Sequence, residues 1–292
     1  MKHIYRGLFI LWLFVVLVSC QQDTQRKEVA TQEETLTIVY ANWPENIAFS
    51  YLAKVALENK GYDVELKLLP VASIYASLAK GEADLFLDAW LPHTHAAYWD
   101  HYGGHLQKIG ISFKHGKTGL VVPQYLDIYS INQLNDYVQA FDGKIYGLEE
   151  GTGIYADTEK AIEHYELDFE QMPGTNDIIM EKLEEAVHHR DPILFSGWRP
   201  HPSWANYELK FLNDPKGIYK SDQCFIVSRK GFTDDFPEVA VFFKNFSFTN
   251  NELRELMILM QKSEDYEKHA SDWCKKKKPL INNWWNKKST SP

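Results

Sequence analysis

Positive charge is in short supply in this chain: Lys+Arg total 31 against Asp+Glu 40, a formal net charge of -9 over 292 residues. A surface that acidic repels phosphate backbones, so no nucleic acid is expected as a partner. Long apolar runs are lacking too, except for one stretch near the N-terminus, which excludes a multi-span membrane protein. Catalytic signatures are missing: no Gly-x-Ser-x-Gly elbow occurs, and Ser196-Gly197 has no evident partner base, so the chain is read as not an enzyme. Cysteine is scarce as well, with three in all, Cys20, Cys224 and Cys274.

What is present is the composition of a globular protein, 45% hydrophobic, 14% aromatic and 24% charged. Its length suits one large domain or two lobes of about 100 to 150 residues. The first residues, Met1-Lys2-His3-Ile4-Tyr5-Arg6, are basic, and an apolar stretch from Leu8 to Val18 follows. That run is short for a membrane span and has the form of a secretory signal over residues 1–19. Leu17-Val18-Ser19-Cys20 resembles the lipobox of bacterial lipoproteins, in which the Cys becomes the lipidated first residue. Loss of Lys2 and Arg6 with the leader takes the formal charge from -9 to -11. Residues 20–34 are polar and cannot bury a core, which reads as a flexible tether to the lipid anchor. The expected protein is therefore exported and membrane-anchored, facing the periplasm or the cell exterior. With Cys20 used, Cys224 and Cys274 are left either as one disulfide or as two free thiols.

From Thr35 onward short β-rich runs alternate with helical patterns, the signal of an α/β fold with a parallel sheet. Strands are expected at Leu36–Tyr40, Val64–Leu69 and Ala83–Ala89, with helices from Ala48 to Asn59 and from Ser73 to Lys80. A second set starts near Gly119: strands at Lys144–Leu148 and Pro192–Ser196, with a helix from Ala156 to Tyr165. Cys224–Ser228 reads as another strand, and the tail from Pro237 to Trp285 as largely helical. The expected arrangement is a lobe built from both chain ends, residues 35–118 and 220–292, and a second lobe of residues 119–219. Such a pairing leaves a ligand cleft between the lobes.

Three of the nine tryptophans lie just beyond expected strands, each close to a proline: Asn42-Trp43-Pro44, Ala89-Trp90-Leu91-Pro92 and Gly197-Trp198-Arg199-Pro200. The carboxyl ends of strands face the crevice in open α/β sheets, so the three indoles can converge there. Clustered indole faces suit a diffuse cation that makes no hydrogen bonds, and quaternary ammonium fits that description. Glu150-Gly151-Thr152-Gly153-Ile154-Tyr155 opens a helix with small residues. Its backbone N–H groups suit an anion, a carboxylate rather than a phosphate, because no phosphate-loop or dinucleotide fingerprint follows.

Three segments, Ala83-Asp84-Leu85-Phe86-Leu87-Asp88-Ala89-Trp90-Leu91-Pro92-His93-Thr94-His95, Glu150–Tyr155 and Gly197-Trp198-Arg199-Pro200-His201, resemble the substrate-binding proteins of glycine betaine/proline-type ABC importers, the OpuAC/ProX family. The resemblance runs from about Leu36 to Trp285. It implies a type II periplasmic-binding-protein fold, two-lobed, that closes on its ligand and works with an ABC permease, most simply as a monomer. It also implies that Trp43, Trp90 and Trp198 box a trimethylammonium head, while His95 and the backbone of Gly153 and Ile154 hold a carboxylate. Arg199, Trp99 and Trp204 depart from the usual pattern, which leaves the choice among glycine betaine, proline betaine, carnitine and choline open. If His95 offers a protonated N–H, affinity shifts between about pH 5 and 8. A flat profile points instead to a neutral histidine or to backbone contacts. The alternative function is zinc uptake through His93, His95, His101 and His105, without further ligands at zinc spacing; apart from that alternative, neither metal nor cofactor is expected.

Overall fold

A computed structural model describes residues 35–286. The expected leader, lipidation at Cys20 and tether therefore fall outside the described residues. The chain begins with two βα units: β1 (Leu36–Tyr40), α1 (Pro44–Glu58), β2 (Val64–Leu68), α2 (Val71–Lys80) and β3 (Leu85–Leu91), then α3 (Ala96–Tyr102). β4 (Leu106–Pro123) leads to β5 (Lys144–Leu148), α4 (Gly153–Tyr165), β6 (Glu170–Gly174), α5 (Asn176–His189) and β7 (Phe195–Arg199). After α6 (Ser203–Asn206) and β8 (Leu209–Phe211), β9 (Ser221–Arg229) returns to the first half. There α7 (Phe232–Asp235), α8 (Pro237–Asn245), α9 (Asn250–Met260), α10 (Tyr266–Lys276) and α11 (Lys278–Asn286) complete it.

The strand order is β2-β1-β3-β9-β4-β7-β5-β6, with β8 beside β4. Two parallel trios, β2-β1-β3 and β7-β5-β6, thus flank an antiparallel spine of β9 and β4. β4 pairs with β9 from Leu106 to Lys117 and with β7 from Lys117 to Val121, so this one strand passes from one lobe to the other. Its bulges against β9 near Gly110 and Gly116 bend it on the way. β4 is not legible as one strand in the sequence, because its residues do not alternate cleanly in hydrophobicity; only a change of pattern near Gly119 marks it.

Local chemistry explains the element ends. β1 is buried on both faces, as a central parallel strand must be, hence the continuous run Leu36-Thr37-Ile38-Val39. Pro44 stands in the first turn of α1, where a missing N–H costs nothing. Gly81 ends α2 in the left-handed conformation, φ 74°. α9 opens on a reciprocal cap between Thr249 and Glu252 and stops at Met260, so the helical tail is interrupted before α10 begins.

One apolar core runs beneath the β2-β1-β3 trio and the C-terminal helices. It holds Phe49, Phe86, Phe242, Phe246 and Trp273, and it continues across the cleft to Leu148, Ile154 and Trp198. A second core, around Leu120, Ile145, Ala161 and Leu194, lies on the far side of the other trio. Cys224, buried in β9, and Cys274, in α10, are both free thiols. Among the described residues no helix is long and apolar enough to cross a membrane.

Candidate functional site

The two trios aim their strand ends and helix starts at one pocket. It is lined by Trp43, Trp90, Trp198, His95, Gly153 and Ile154, together with Glu45, Thr94, Thr118, Leu148 and Thr152. All six residues singled out in the sequence are therefore brought together. The first lobe contributes the start of α1 (Trp43 and Glu45) and the end of β3 (Trp90). The second contributes the start of α4 (Gly153 and Ile154) and the end of β7 (Trp198).

Each indole is held by its own local structure. Trp43 is the N-cap residue of α1. The turn before it is fixed by the Asn46 side chain, which accepts the Ala41 N–H at 2.7 Å. Trp90 and Trp198 lie one residue before the end of their strands rather than beyond them, because the strands run two and three residues further than the sequence reading has them. Trp90 pairs with Cys224 across the sheet, and its ring lies against Gly116, where an added Cβ would come within 2.9 Å of it. The Trp198 indole N–H donates to Glu45 Oε2 at 3.1 Å, a bond that joins the two lobes. The Leu91–Pro92 and Arg199–Pro200 peptides are both cis.

The rest of the pocket lining carries no Lys or Arg. Gly153 and Ile154 occupy the first two helical positions of α4, where backbone N–H groups have no helical acceptor and the helix dipole favours an anion. A Cβ on Gly153 would stand 1.8 Å from the Thr94 carbonyl oxygen, so only glycine permits the lobes to approach this closely. The Thr94 loop is itself clamped by Asp222, which accepts the amides of His93 and Thr94 at 2.7 and 2.9 Å and the Thr94 hydroxyl at 2.6 Å. Tyr98 closes the rim by donating its hydroxyl to the Gly151 carbonyl at 2.5 Å.

His95 is almost fully buried, and desolvation pushes its pKa down to about 3. Its Nδ1 accepts the Trp90 N–H at 3.1 Å, with the Tyr75 hydroxyl 3.2 Å away. That network assigns the proton to Nε2. His95 is thus a neutral donor, which removes the protonated N–H considered from the sequence and with it any titration of His95 between pH 5 and 8. Glu45 is the acid that the sequence did not flag. In Trp43-Pro44-Glu45 it reads as an ordinary first-turn carboxylate favoured by the helix dipole. In the fold it is buried, and desolvation together with the nearby Asp88 raises its pKa well above the usual carboxylate range.

The residues that depart from the family pattern lie outside the pocket lining. Arg199 stacks 3.8 Å above the Trp204 ring, whose indole N–H donates to the Trp198 carbonyl at 2.7 Å. Trp99 carries Lys108 over its face at 4.5 Å. Among the described residues no group of three or more His, Cys, Asp or Glu side chains gathers to hold a metal, so the zinc alternative finds no site there.

Comparisons with known proteins converge on the same architecture. The glycine betaine/carnitine transport binding protein GbuC of Listeria monocytogenes is 30% identical over 144 residues, 48% of this chain and 48% of that protein. The match thus spans about half the length of that relative. Among solved structures, lactococcal OpuAC, closed and complexed with glycine betaine, has a TM-score of 0.82 at 30% identity, covering 86% of this chain and 99% of that one. An ABC-transporter choline binding protein in complex with choline has a TM-score of 0.81 at 27% identity, covering 88% and 93%. The model of the substrate-binding domain of ABC-type glycine betaine transport systems matches residues 34–276, nearly all of the described fold, and the chain belongs to that family.

Proposed function

We propose that this protein is the receptor of an ABC importer and captures glycine betaine or a close quaternary ammonium relative: proline betaine, carnitine or choline. Substrate-binding proteins of such importers work outside the cytoplasm, and a lipid on Cys20 would keep this one, acting as a monomer, beside its permease. The observation that carries the reading is one pocket lined both by three indoles and by neutral N–H donors. A trimethylammonium group offers no hydrogen bond, so its attraction to Trp43, Trp90 and Trp198 is that of a cation for the ring faces. A carboxylate at the other end meets the Gly153 and Ile154 amides and His95 Nε2. No covalent step is involved.

In this reading residues 35–118 with 220–292, and residues 119–219, are the two bodies that close on the ligand. The Glu45–Trp198 and Tyr98–Gly151 bonds then act as closure contacts. Isothermal titration of the mature protein with glycine betaine, proline betaine, carnitine, choline, proline and Zn²⁺ tests the proposal. Binding of the quaternary ammonium compounds but not of proline supports it, and binding of Zn²⁺ alone defeats it. With about 2 kcal/mol for a desolvated cation–π contact, Trp90→Ala should weaken glycine betaine binding roughly thirtyfold. Unchanged affinity in that variant removes Trp90 from the box.

A further inference from the structure

Asp88, two residues before Trp90 on β3, is fully buried, and neither of its carboxyl oxygens has a hydrogen-bond partner among the described residues. The Cys224 thiol and the Trp90 indole are the nearest donors, and they favour its charged form only weakly against desolvation, which raises its pKa to about 7. An unpartnered carboxylate in an apolar interior is costly, so Asp88 is neutral over much of the acid range. Asp88 also lies close enough to Glu45 for each charge to be felt by the other. Two carboxyl groups in that relation do not both ionise readily. Glu45 lines the pocket itself, Asp88 lies two residues from Trp90 on β3, and the lining has no other anion.

We infer that Glu45 and Asp88 act together as a buried carboxyl pair that supplies the counter-charge to the bound cation, giving up a proton when a quaternary ammonium enters the box. The inference rests on the ligand class proposed above. No bond to the ligand is made: the proton leaves to solvent, and the remaining carboxylate charge acts on the cation from the wall of the pocket that Glu45 lines. The surrounding groups leave this role to the pair. Tyr75 on α2 and Cys224 on β9 have their pKa values raised by burial, so both stay neutral. His95 is neutral for the reason given above. Asp222 is occupied by the His93 and Thr94 amides, and on β4 Lys114, His115 and Lys117 are exposed to solvent.

The consequence is proton-linked capture. Below neutral pH the cation must displace a proton, so affinity falls as pH falls, by at most about tenfold per unit for one proton. Glycine betaine titrations at pH 6 and pH 8, each in two buffers of different ionisation enthalpy, read both affinity and protons released. We expect binding to be roughly tenfold tighter at pH 8, with a fraction of a proton released at pH 6 that vanishes in Asp88→Asn. An infrared carbonyl band from a protonated carboxyl group, present at pH 6, lost in Asp88→Asn and bleached by glycine betaine, gives the same result without a variant's affinity. Equal affinity at both pH values with no proton released overturns the inference and leaves the receptor reading standing. Absence of glycine betaine binding at either pH overturns both.

Discussion

Two corners of the molecule are built alike and used differently. In Trp90-Leu91-Pro92-His93-Thr94-His95 and in Trp198-Arg199-Pro200-His201, a tryptophan near the end of a strand is followed by a cis X–Pro peptide and a buried histidine. Both histidines are pushed down to about pKa 3 by desolvation, and both use Nδ1 as an acceptor. His95 receives the Trp90 N–H at 3.1 Å; His201 receives Ser203, whose hydroxyl lies 2.7 Å and whose amide 3.1 Å away. The difference is at Nε2. In His201 it donates to Asn176 Oδ1 at 2.9 Å, which ties β7 to the start of α5. In His95 it belongs to a residue that lines the pocket. One corner uses its second N–H within the fold, and in the proposed function the other leaves it for a guest.

The strongest way to break that comparison is to stop the first corner from closing. Gly153→Ala places a methyl group into the Thr94 carbonyl. Neither partner is the end of a flexible side chain, so the overlap is relieved only by opening the cleft. Glycine betaine affinity should fall by about a hundredfold, in line with the cost of severe overpacking, while the melting temperature without ligand changes little. The equivalent methyl at Gly197, in the second corner, meets the Val121 and Phe195 side chains instead. Gly197→Ala should therefore lower melting temperature more than it lowers affinity. Equal loss of affinity in the two variants, measured by titration calorimetry, would show that the corners are not divided in this way.

Next in size is the Nε2 contrast itself. A hydrogen bond to a charged group is worth about 1.5–3 kcal/mol, so His95→Ala should weaken glycine betaine binding roughly 10- to 150-fold. Choline has no carboxylate, and its binding should change far less. His201→Ala should leave both affinities within about threefold and lower the melting temperature, because Asn176 loses its partner and the buried site is left with a cavity. If His95→Ala weakens choline and glycine betaine equally, His95 supports the box and does not receive the carboxylate.

Much of this contrast could be read in the sequence, and the part that could not has a physical cause. Strand ends, tryptophans and prolines are local signals, so β1 and β5 match residue for residue and the three indoles fall in one pocket as expected. Gly153 and Ile154 were legible for the same reason, since a bare helix start after a strand is a local pattern. Glu45 and Asp88 were not, because a carboxyl group in a sequence gives no sign of burial; only the packing of α1 against β3 removes water from both. The direction of His95 was hidden for a related reason. Its proton is placed by the Trp90 amide five residues earlier, a contact created by the turn and not by the composition. Of the two protonation states that the sequence leaves open for His95, the fold favours the neutral one.

The smallest effect expected is on the pH dependence of stability, and it separates the histidines from the carboxyl pair. A buried histidine with a folded pKa of about 3 and an unfolded value near 6.5 binds its proton more readily when unfolded. Its stabilising share is full above about pH 6.5 and is lost as pH falls toward 3. Asp88 has the opposite sign: with a folded value of about 7, its share is full below about pH 4 and is lost as pH rises through 7. Replacing either histidine by glutamine should therefore flatten the acid limb of the melting-temperature profile. Asp88→Asn should flatten the neutral limb instead, so that its melting temperature gains on the parent between pH 5 and 8. Because His95 and His201 have the same folded pKa, their acid limbs should shrink alike even though only one variant loses ligand. An acid limb that responds to His201→Gln but not to His95→Gln would mean that His95 takes up a proton in the folded state, and the neutral donor assigned to the pocket would then be wrong.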